Sequence, residues 1–111
     1  MLYDIIQMRI IMDIKKVDFN NIFKLVSEAN RLQFAIKYWE QKNDVNVTSD
    51  YKEKFYKIQN LILNCDNPFF AYIFVREVKG SDIKALEPII KKNANCYEKF
   101  CELKQEKNLE K

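Results

Sequence analysis

A chain of 111 residues, 48% hydrophobic and with a formal charge of +3, has the material for one modest buried core and is too apolar to stay disordered. It contains no histidine and a single glycine, Gly80, which excludes His-dependent triads, His-ligated zinc, Gly-rich phosphate loops and dinucleotide fingerprints. Its 19 basic and 16 acidic residues are interspersed, and only Arg9, Arg31 and Arg76 are arginines, so the guanidinium-rich surface of a dedicated duplex-DNA binder is missing.

The longest apolar stretches, such as Phe69–Val75, fall far short of a membrane span, which needs about 20 residues. Asp4, Arg9 and Asp13 interrupt the apolar start of the chain, so no secretory signal is expected there. Three cysteines, Cys65, Cys96 and Cys101, are an odd number for a disulfide framework and point to reduced thiols in a cytoplasmic protein.

Residues 2–17 can be read in two ways. Leu2, Ile6, Ile10, Ile14 and Val17 recur at helical spacing, whereas Met8, Ile10, Met12 and Ile14 alternate as in a strand. Helix is the favoured reading, because no clear partner strand follows. Asp18 is a suitable N-cap for the next helix, on which Ile22, Leu25, Val26, Ala29, Leu32, Ile36 and Trp39 line one face as far as about Lys42. Residues 43–49 read as a loop ending in a Thr or Ser cap.

A third helix is expected over about 50–64, with Tyr51, Phe55, Ile58, Leu61, Ile62 and Cys65 as its buried stripe. Asn67 and Pro68 suit the cap and first turn of a fourth, which Gly80 closes in the left-handed conformation. Ser81 is the expected cap of a fifth, carrying Ile83, Leu86, Ile89 and Ile90; Pro88 should kink it or push its start later. A last helix is expected over about 95–107, fraying from about 104. These elements predict an all-α fold, a compact bundle or short stack of five to six helices in one domain spanning 1–111.

The segment Asn67-Pro68-Phe69-Phe70-Ala71-Tyr72-Ile73-Phe74-Val75-Arg76-Glu77-Val78-Lys79-Gly80-Ser81-Asp82-Ile83-Lys84-Ala85-Leu86-Glu87 resembles a short helix-pair repeat of uncharacterised proteins from low-GC bacteria, phages and large DNA viruses. The chain carries one good copy and weak flanking echoes. The resemblance implies a small helical stack and no particular activity.

Candidate contact residues come from the second helix. Phe23, Phe34 and Tyr38 lie away from its main apolar face and form a second stripe, flanked by Lys24, Arg31 and Gln41. The plainer reading is a central helix buried on both sides. The functional reading is an exposed aromatic strip with a nearby arginine, the composition of a protein-binding hot spot. Tyr56, among Lys52, Lys54 and Lys57, likewise lies off the core face of its helix; it could stack a base of a single strand, although snorkelling lysines on a wet surface are commoner.

The cysteines fall on apolar faces without a standard zinc spacing, so buried thiols are expected and no metal or cofactor is assigned. The composition thus favours a non-enzymatic module whose partner is another protein; a small RNA- or single-stranded-DNA-binding regulator is the alternative. The repeat's distribution and the chain's size suggest, more narrowly, a phage- or mobile-element-encoded inhibitor that blocks a host protein such as a CRISPR effector.

Overall fold

The computed structural model describes residues 16–107. The part of the 2–17 segment before residue 16, with its open choice between helix and strand, lies outside them. Among the described residues there are five α-helices and no strand, so the fold is all-α. They are α1 (Ile22–Gln41), α2 (Val45–Cys65), α3 (Pro68–Glu77), α4 (Ile83–Ile90) and α5 (Ala94–Lys107). None of them is long and apolar enough to cross a membrane. The chain divides into two compact units, Met1–Leu61 and Ile62–Lys111.

In the first unit, Asp18 and Asn21 start α1 by reciprocal capping. The Asp18 carboxylate accepts the Asn21 N–H at 3.1 Å and the Asn21 side-chain oxygen accepts the Asp18 N–H at 2.9 Å. The predicted cap at Asp18 thus acts one short turn ahead of the first regular helical residue, and its carbonyl accepts the Ile22 N–H at 2.9 Å. Along α1 the residues Ile22, Leu25, Val26, Ala29, Leu32 and Ile36 are buried, as their helical spacing predicts; Trp39 is half-buried.

The end of α1 is sharp. Asn43 takes a left-handed φ of 57°, its N–H donates to the Glu40 carbonyl at 3.1 Å, and the Asp44 N–H donates to the Trp39 carbonyl at 3.2 Å. These two bonds form a Schellman closure with asparagine in the place glycine usually takes. Asp44 then caps the next helix at once, its carboxylate accepting the Val47 N–H at 3.1 Å. The expectation of a loop over 43–49 is therefore corrected: α2 begins at Val45, five residues before the predicted start at Asp50. Asn-Asp-Val-Asn-Val-Thr-Ser is weak in helix propensity, but one αL residue followed by one carboxylate cap suffices to turn the chain and restart it.

In α2, Phe55 and Ile58 are buried, with Tyr51 half-buried beside them in the predicted stripe. Thr48 is also buried, and its Oγ1 is the one buried side-chain polar atom among the described residues with no hydrogen-bond partner. An unsatisfied buried hydroxyl costs stability that an isosteric methyl does not. Thr48→Val is expected to raise stability by about 1 kcal/mol, read as a higher urea midpoint at unchanged slope.

The second unit holds the end of α2, where Ile62 is buried, and the helices α3 to α5. The Asn67 side chain accepts the Phe69 and Phe70 N–H groups at 2.9 and 3.3 Å, and Pro68 occupies the first helical position, as predicted. Gly80 has φ 84° in the turn after α3, the conformation its place in the sequence called for. The cap of α4 is Asp82 and not Ser81: the Asp82 carboxylate accepts the Ala85 N–H at 3.2 Å. Pro88 does not delay α4, which starts at Ile83; the proline falls in its last turn, where the loss of one N–H ends a helix that is already short. Asn93 caps α5, accepting the Cys96 N–H at 3.0 Å.

Helix α3 packs on α4 and α5, and α4 on α5. Phe70, Ala71, Phe74, Val75 and Val78 from the α3 segment meet Leu86, Ile89, Ile90, Cys96, Phe100 and Leu103 in one apolar core. Lys92 and Asp66 close the rim with two short contacts, at 2.7 and 2.5 Å, and Lys104 reaches Glu87 at 3.4 Å.

Candidate functional site

Helix α1 has a dry side and a wet side, and the wet side carries large rings. Phe34 is 83% exposed, Phe23 53% and Tyr38 52%. At about 100° per residue the three fall within about 60° of arc, and Phe23 to Tyr38 spans about 22 Å along the axis. The two-sided burial considered for this helix does not occur. Its buried residues all lie on the arc around Leu25, Leu32 and Ile36.

Leaving a phenylalanine ring in water forgoes about 1.5–3 kcal/mol of burial. Single exposed apolar residues are ordinary, whereas several at helical spacing form a patch. The Tyr38 ring is held from both sides: Trp39 meets it edge-on with centroids 5.2 Å apart, and the Lys42 ammonium lies 5.5 Å from its centre.

Phe19 was not among the residues singled out from the sequence, yet it is 71% exposed in the capping turn, four residues before Phe23. Its i, i+4 relation to Phe23 is legible in the sequence, but Phe19 precedes the regular helix that carries the strip.

The flanking charges separate into two kinds. Lys24 is exposed, as the sequence reading required. Arg31 is not an open contact group. It is half-buried, and its Nε donates to Glu28 Oε1 at 2.9 Å while its Nη2 contacts the same oxygen. Glu28 is itself buried, and the arginine one turn on supplies the countercharge it needs there.

Tyr56 is 55% exposed but stands on α2, so it is not part of the α1 strip. Two of the three lysines near it are engaged: Lys52 pairs with Glu40 at 3.5 Å and Lys54 with Asp50 at 3.3 Å. That leaves a mixed-sign surface around Tyr56 and not a cationic track.

A surface depression of about 500 Å³, open to solvent, lies at the turn between α1 and α2, lined by Glu40, Asn43, Asp44, Val45, Thr48, Ser49 and Lys52. Its polar groups are largely spoken for by the Schellman turn, the Asp44 cap and the Glu40–Lys52 pair. Among the described residues no three His, Cys, Asp or Glu side chains stand close enough to hold a metal ion.

Cys65, Cys96 and Cys101 are in no disulfide among the described residues; Cys96 is buried and the other two are half-buried. Burial pushes the Cys96 thiol above its ordinary range, and nearby Lys99 only partly offsets this. A raised thiol pKa means less thiolate at neutral pH and a slower reaction. In a timed reaction with a disulfide reagent at pH 8, Cys65 and Cys101 are expected to be modified before Cys96, which should react at their rate only in denaturant.

These features define an all-helical protein whose most distinctive surface is a lysine-flanked aromatic strip on one long helix. No protein-family model, curated protein or solved structure matches the chain.

Proposed function

We propose that the protein is a non-enzymatic interaction module that captures another protein through the outer face of α1. The observation that carries this reading is the exposure of Phe23, Phe34 and Tyr38 on one side of a helix whose opposite side carries its buried residues. Aromatic anchors fixed on a rigid element lose little rotamer freedom when covered, which is the economy of a binding hot spot. The ion pairs around Tyr56 favour a protein partner over a nucleic acid, because a strand needs unpaired cations along its backbone.

A narrower version, a mobile-element inhibitor that occupies a surface of a host protein such as a CRISPR effector, draws its support from the chain's size and from the helix-pair segment at 67–87, which folds as α3, turn and α4. Such a blocker needs no reactive group. Three cysteines outside any disulfide fit a reducing, cytoplasmic setting.

The test is affinity capture from host lysate with and without nuclease, followed by a salt series on the purified pair. A retained partner that survives nuclease and weakens only modestly between 50 and 200 mM salt is expected. Loss of the partner on nuclease treatment, or a fall of about a thousandfold over that range, is the signature of direct nucleic-acid binding and would overturn the proposal.

A further inference from the structure

We infer that the partner surface received by α1 is a carboxylate-rich protein surface; this rests on the reading of α1 as an interaction face and names the chemistry that face selects. The argument is one of charge placement. Around α1, Lys37 lies about 40° to one side of Phe23, and Lys24 and Lys42 about 100° to the other, with the rings between them. Lys24 and Lys37 are exposed and held in no ion pair, and Lys42 contacts only the Tyr38 ring.

Both carboxylates of α1 are absent from this arc. Glu28 is buried against Arg31, and Glu40 lies on the far edge, paired with Lys52. The wet face of α1 therefore carries its rings along the centre, interleaved with the uncharged Ser27, Asn30 and Gln41, and bears lysines and no carboxylate along both margins. An interface with a desolvated aromatic centre and a charged rim asks its partner for apolar pockets ringed by the opposite sign.

A second copy of this chain is a poor occupant, since a two-fold contact would set each lysine row against its own image. A nucleic-acid strand is also disfavoured. Three lysines over a convex rod supply few phosphate contacts, and the guanidinium that could grip a phosphate bidentately is already turned onto Glu28.

The experiment uses a phage-displayed library of random 16-residue peptides, selected on the full chain and counter-selected on the Phe34→Ala/Tyr38→Ala variant, with circular dichroism confirming that the variant is folded. Ring-dependent peptides enriched in Asp and Glu over the input library are expected. The best of them should bind Lys24→Glu/Lys37→Glu about tenfold more weakly than wild type.

Fluorescein-labelled dT20 is titrated in parallel. Ring-dependent peptides with no acidic enrichment, or binding indifferent to the two charge reversals, would overturn the acidic-partner inference while leaving the interaction face intact. Ring-dependent binding of dT20 tighter than that of the best peptide would overturn it in favour of a strand. Absence of any ring-dependent peptide would remove both the inference and the interaction reading beneath it.

Discussion

Phe34→Ala combined with Tyr38→Ala is expected to abolish partner capture and to leave the helical circular-dichroism signal and the cooperativity of melting near wild type. With Phe34 at 83% exposure and Tyr38 half in solvent, little packing is lost on truncation, and alanine is the better helix former at both positions. Exposed substitutions of this kind change stability by about 0.5 kcal/mol or less. The effect on binding is of another order: a buried aromatic anchor at an interface centre is worth about 2 kcal/mol or more, roughly thirtyfold in affinity. A double variant that melts early or loses helix content would show that these rings stabilise the monomer, and the strip would lose its standing as an interface.

Phe74→Ala gives the opposite result from a chemically identical truncation. Phe74 is fully buried on α3, in the core shared with α4 and α5, and removing its ring leaves a cavity that neighbouring Phe100 and Leu86 cannot fill without moving. A loss of about 3–5 kcal/mol is expected, against a total of about 5–15 kcal/mol for a protein of ordinary stability. Chemical denaturation measures it directly. If Phe74→Ala unfolds at the wild-type midpoint, the assignment of the second core is wrong. Phe34 and Phe74 lie on opposite kinds of helix face, one exposed and one buried.

That difference could be read before any coordinates. The positions Ile22, Leu25, Val26, Ala29, Leu32 and Ile36 recur with the helical period and are the buried ones, so the rings out of phase with them had to face elsewhere. Periodicity alone left open whether another element would cover them, because that depends on the rest of the fold and not on the helix itself. The same limit applies to Arg31. From spacing it flanks the strip, but its commitment to Glu28 depends on Glu28 being buried, and an isolated glutamate on a helix edge gives no warning of that.

The start of α2 was misplaced for a different reason. Asp44 and Asn43 carry ordinary turn chemistry, and sequence cannot distinguish a turn that opens a loop from one that closes a helix and caps the next in two residues. Ser81 and Asp82 are both good caps standing side by side, and only the backbone geometry after Gly80 selects the aspartate. By contrast Asn67-Pro68 was unambiguous. Proline is tolerated in the first turn of a helix and little further in, so the residue before it had one role left to take.

Four of the five described helices begin on the short side chain of an aspartate or asparagine, Asp44, Asn67, Asp82 and Asn93, and the turn that leads into α1 is capped by Asp18 with Asn21. Aspartate and asparagine codons differ by one base and both residues are good N-caps, so the boundaries of these helices tolerate exchange between the two.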